Sequence, residues 1–154
     1  MKIMKKSLLI LLFFVINTTS ILAQIYRTKS TVHDSIVNVS VKKLSELNHL
    51  SNSPTYDIAY FSDLMLFASN EKLVSLTNHK SPIVRCYAFR GLVERKHGDF
   101  KNIFEKHLND TSHVILYSTS GFCLHEWNCS VRQYMLNELG PSSDEFKKYW
   151  PKYR

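Results

Sequence analysis

The chain has 154 residues, 20 Lys+Arg against 13 Asp+Glu for a formal net charge of +7, 44% hydrophobic and 12% aromatic residues. That much apolar side chain excludes a disordered or fibrous chain, and the length holds one compact domain rather than several. The basic balance is mild, because three of the lysines stand in the first six residues.

Lys2, Lys5 and Lys6 precede an apolar run from Leu8 to Ile16 and a small-residue site ending at Ala23. This is the layout of a cleaved signal peptide over 1–23, and export to a periplasm or the medium is expected. The run is about half of the roughly 20 residues a spanning helix needs, so no membrane insertion is expected after signal removal. Residues 24–34 read as an N-terminal extension. The lysine-rich, short leader favours a bacterial source.

From there apolar residues recur at three- and four-residue spacing, which predicts an all-α domain over 35–140. The expected helices lie at 35–49, 56–68, 70–78, 82–96, 100–108, 112–126 and 130–139. The run Ile36-Val37-Asn38-Val39-Ser40-Val41 also suits a strand, since β-branched residues alternate in it. Ser81-Pro82 offers an N-cap with proline in the first turn, Gly98-Asp99 a C-cap and an N-cap, and Gly140-Pro141 a stop.

The tail 141–154 interleaves Phe146, Tyr149, Trp150 and Tyr153 with Lys147, Lys148, Lys152 and Arg154. The spacing of Phe146, Tyr149 and Trp150 predicts a segment that caps the open apolar face of the last helices. Lys147, Lys148, Tyr149 and Trp150 are then the candidate outward contacts, for instance with an anionic envelope surface. Such interleaving also suits nucleic acid, a partner that export argues against.

Cys86, Cys123 and Cys129 are the three cysteines. In an exported chain, disulfides persist and an odd count leaves one thiol over. Cys123 and Cys129 are the expected pair, which requires a helix break near Trp127-Asn128, because six helical residues rise about 9 Å. Three buried free thiols are the alternative.

The densest reactive cluster is Cys123-Leu124-His125-Glu126-Trp127-Asn128-Cys129. His125 and Cys129 would share a helix face at i, i+4, but a second ligand pair at zinc spacing is missing, so no metal or other cofactor is expected. His33, His49, His79, His97, His107 and His113 fall mostly at expected helix ends, where an imidazole suits the dipole. Cys86 has no base at i±3 or i±4, and neither a phosphate loop nor a nucleophile elbow occurs. An enzyme is therefore not expected; a small metal-binding protein or hydrolase centred on His125, Glu126, Cys123 and Cys129 is the competing reading.

An internal period organises the middle of the chain. Val84, Ala88 and Leu92 are matched thirty residues on by Val114, Ser118 and Phe122, and twenty-eight residues back by Tyr56, Tyr60 and Leu64. Units of that size bury an apolar stripe only by stacking. The segment Leu76-Thr77-Asn78-His79-Lys80-Ser81-Pro82-Ile83-Val84-Arg85-Cys86-Tyr87-Ala88-Phe89-Arg90-Gly91-Leu92 resembles the HEAT-like repeat family, including its short HEAT/PBS-lyase type, through Val84-Arg85, Ala88 and Leu92. Leu108 and Asp110 match the turn that opens the next repeat. The likeness covers roughly 55–140, with Asp57 and Ile115 standing where the motif carries arginine.

The resemblance implies a short right-handed α-solenoid of about three helical hairpins, in which Arg85 faces Asp110 as an inter-repeat pair. Arginine chemistry is compatible with that role, since its planar fork satisfies a carboxylate and backbone carbonyls together. The function expected is noncatalytic binding of a protein partner, through the surface of the second helices of successive hairpins.

Overall fold

The computed structural model describes residues 2–51, 56–120 and 123–153, with side chains described at 18–19, 21–51, 58–117 and 126–152. The described residues form seven helices and three strands. The chain divides into two compact units, Met1–Ser35 and Ile36–Arg154. It is mostly helical, as the sequence pattern predicts, with a small sheet added.

The first unit is formed by the long helix α1 (Lys2–Ser45) as far as Ser35. Ile21, Leu22, Ile25, Tyr26 and Val32 are exposed along it. Among the described residues no helix is long and apolar enough to cross a membrane.

The second unit opens on the last turns of α1. Val37, Ser40 and Leu44 are buried while Val39 is exposed, a helical period that decides the ambiguous run 36–41 against a strand. Ser40 donates to Asp63 Oδ2 at 3.0 Å, which ties α1 to α2 (Tyr56–Phe67). α3 (Asn70–Leu76) follows, its Ser69 cap accepting from the Lys72 amide. Next comes α4 (Pro82–Glu94), with Ser81 at its N-cap position, where the hydroxyl makes no capping bond, and proline in its first turn.

α4 is the centre of the core. Ile83 to Phe89 are buried without interruption, then Gly91 and Leu92, as expected of a helix with neighbours on every side. At Gly91 a Cβ would stand 3.1 Å from Met65 Sδ and 3.3 Å from Leu73 Cδ1; the missing side chain lets α4 approach α2 and α3. The helix ends two residues before the expected boundary, and the left-handed turn is taken by Lys96 at φ 53° rather than by Gly98. α5 (Phe100–Lys106) completes the helical run.

The expected helix at 112–126 is not formed. His113–Ser120 is strand β2 and Cys123–Ser130 strand β3, an antiparallel hairpin in register from His113↔Ser130 to Ser120↔Cys123. A third strand, β1 (His49–Ser51), lies parallel to β2 with Leu50 opposite Leu116. Val114-Ile115-Leu116-Tyr117 is rich in strand formers, and only Val114 among them is fully buried. Pairing with β1 from far away in the chain overrides the three- and four-residue spacing. An all-α solenoid of three hairpins is corrected accordingly, because the third unit lacks its first helix.

α6 (Val131–Leu139) starts on a complete capping box between Ser130 and Gln133 and ends at Gly140, φ 80°. Helix α7 (Asp144–Tyr153) carries the tail. Tyr149 is buried with its ring edge on Phe104 at 5.7 Å, and Phe146 stacks on Trp150 at 4.8 Å.

Candidate functional site

Arg85 leaves the first turn of α4 and is 9% exposed. Its Nε lies 2.8 Å from Asp110 Oδ2, an ion-pair contact whose N–H is not aligned for a hydrogen bond. Nη2 donates to Asp110 Oδ1 at 3.1 Å and to Ser112 Oγ at 2.8 Å. Nη1 donates to the carbonyls of His79 at 2.8 Å and Lys80 at 3.1 Å. Four residues from two loops thus converge on one guanidinium. The structure brings Arg85 and Asp110 together, and the same carboxylate accepts from the Ser112 amide at 3.2 Å.

The electrostatics follow from that packing. Burial opposes ionisation of Asp110, yet the hydrogen bonds of Ser112 and Arg85 outweigh it and hold the carboxyl below its ordinary value. His107 Nδ1 is 3.6 Å from Asp110 Oδ2; burial first, and then the charge of Arg85, depresses its pKa despite the carboxylate. His79 is lowered by burial and by Lys80 and Arg85. Its Nδ1 accepts the Ser81 amide at 3.1 Å, and His97 Nδ1 accepts that of Asp99 at 3.3 Å. The His79 and His97 rings thus close turns.

A second arginine was not visible in the sequence. Arg95, at the end of α4, donates to the carbonyls of Leu64, Met65 and Ala68 and to Asn70 Oδ1, at 2.6 to 3.2 Å. It therefore supplies donors to carbonyls at and just past the end of α2. A basic residue in a last turn ordinarily reads as a partner for its own helix, so spacing alone conceals this role.

The reactive cluster 123–129 lies on β3. Directly opposed residues share a face of a sheet, which places Cys129 with Val114, Trp127 with Leu116, and Glu126 with Tyr117. His125 and Cys129, four extended residues apart, are separated by about 13 Å instead of one helical turn. The side chains of Cys123 and His125 lie outside the described set. Among the described residues, no three His, Cys, Asp or Glu side chains cluster to hold a metal.

The expected helix break between Cys123 and Cys129 is also absent. Both stand on one continuous strand, about 20 Å apart over six residues, against the 7 Å limit for a disulfide. Cys86 and Cys129 are free thiols. Cys86 is fully buried in α4, and burial, with Cys129 near it, raises its pKa.

The hairpin carries an exposed aromatic side chain. Trp127 is 62% exposed, although its face is the one that carries Leu116 and Cys129 onto the core. On the other face the His49 and Tyr117 rings meet edge on at 4.9 Å, and Tyr117 donates to Glu126 Oε2 at 3.4 Å. In the tail, Lys148 Nζ lies 4.7 Å and Lys152 Nζ 5.8 Å from the centre of the Tyr149 ring. Lys147 is exposed and Trp150 half-buried, so the tail covers the core with its rings and keeps its cations outside. An open cleft of about 490 Å³ is lined by Leu47, Asn48, Lys80, Ser81, Pro82 and His113 among others. No family model, curated protein or solved structure matches this chain.

Proposed function

We propose that the chain is an exported, noncatalytic protein-binding domain, in which a HEAT-like helical scaffold presents the β2–β3 hairpin to a protein partner. The observation that carries this reading is Trp127, a large aromatic side chain held 62% exposed on a paired strand. Exposed aromatics on a rigid frame are what binding surfaces spend their energy on. The polar residues, by contrast, hold the frame: Arg85 joins two loops to α4, and Arg95 joins α2 to it. In the HEAT-like reading, α2 with α3 and α4 with α5 are two hairpins, and the sheet takes the place of the third. Export is supported by the basic, apolar and small-residue order of 1–23.

Site-specific photo-crosslinking in the native cell tests the surface. A crosslinker replacing Trp127 should give a discrete adduct that one replacing exposed Glu71 on α3 does not. Equal labelling at both positions, or no adduct from the hairpin, sinks the reading.

A further inference from the structure

Among the described residues β3 is the last strand in the order β1-β2-β3, so one side of its eight-residue backbone has no described strand beside it. Such an edge presents a row of unpaired N–H and C=O groups, and monomeric proteins blunt it with lysine, proline or a bulge. Cys123-Leu124-His125-Glu126-Trp127-Asn128-Cys129-Ser130 contains neither lysine nor proline. Its register against β2 runs through eight consecutive pairs without a bulge.

We propose that a second copy of this chain docks antiparallel on the open edge of β3, the two strands meeting across a two-fold axis at Trp127 to make one six-stranded sheet. The proposal rests on the hairpin being the binding surface and names its occupant. A two-fold axis perpendicular to the sheet preserves both faces, so the residues set opposite each other must share a face. Centred on Glu126, the pairing would oppose two carboxylates, which is repulsive. Centred on His125, it would put Glu126 against Leu124. Centred on Trp127, it sets the two exposed indoles against each other and places each Glu126 opposite Asn128 of the other copy, a carboxylate facing an amide donor. Symmetry makes that contact twice, as an isologous interface does. Of these three registers, only the one centred on Trp127 is complementary to itself.

Sedimentation of the purified full chain from micromolar to submillimolar concentration tests this. A reversible dimer is expected, and Trp127→Arg should abolish it by placing two cations on the axis. Glu126 and Asn128 are exposed, so changes there leave folding intact. Asn128→Asp should weaken the dimer and Asn128→Lys tighten it, each by about tenfold from two cross-strand pairs. Circular dichroism checks that the variants are folded. A monomer throughout the range overturns the proposal, as does a dimer indifferent to positions 127 and 128. If the chain is monomeric and position 127 still crosslinks, the partner is another protein and the hairpin reading survives alone; if neither occurs, both fall.

Discussion

Arg85 and Asp110 are held by more than their mutual charge. The guanidinium also satisfies two loop carbonyls and Ser112, which a lysine ammonium on a flexible stem does not reproduce. Both side chains are nearly buried, so removing one leaves the other uncompensated. Arg85→Met and Asp110→Asn, which each strip one charge from the pair, are expected to destabilise by about 3–5 kcal/mol, with strong coupling in a double-mutant cycle by urea denaturation. Arg85→Lys keeps the cation, loses the fork geometry and costs less. Additive losses would show that the contact contributes nothing.

The same carboxyl sets an acid limit. Its folded pKa lies below its ordinary value of 3.8, so its stabilisation is present above that value and is lost as pH falls through the folded pKa. His107, lowered from 6.5 mainly by burial, adds an earlier decline. Below pH 6.5 the unfolded chain takes up a proton that the folded chain refuses, and stability falls. A urea midpoint followed from pH 7 to 3 should drop in two stages. His107→Gln combined with His79→Gln should remove the first stage, because burial lowers the pKa of both imidazoles, and Asp110→Asn the second.

At the scale of elements, the sequence was most legible where local chemistry and burial agree. Ser81-Pro82, Gly140 and the 3.6-residue pattern of α6 each encode their own boundary. The hairpin was not legible, because Val114, Ser118 and Phe122 repeat a helical spacing in the sequence, while Leu50, the residue opposite Leu116 on β2, is remote in the chain. The thiol reading failed for the same reason. A turn between Cys123 and Cys129 was inferred from their proximity in sequence, whereas an extended strand holds them apart. Thiol titration under denaturing, nonreducing conditions is expected to find three free thiols per chain, with Cys86 unreactive until the protein unfolds. A count of one would restore the short disulfide and require β3 to be broken.

For the whole molecule, the candidate site was half visible. The residues of the arginine contact stood in the motif, but Arg95 and Trp127 had no signature, since each takes its role from a distant element. Export is tested separately, at the N-terminus. N-terminal sequencing of exported protein is expected to begin at Gln24, and material that retains Met1 in a membrane-free fraction would remove the case for export.

The parallel pairing of β1 with β2 has a kinetic consequence. His49 and Ile115 are more than sixty residues apart, so their contact closes a long loop and bears its entropy before three short pairs reward it. The helices between them, α2 to α5, are joined by short connections and assemble first. β1 therefore docks late in refolding. In native-state hydrogen exchange, its amides open before those of α4, releasing the end of α1 from the sheet while the central helix stays closed.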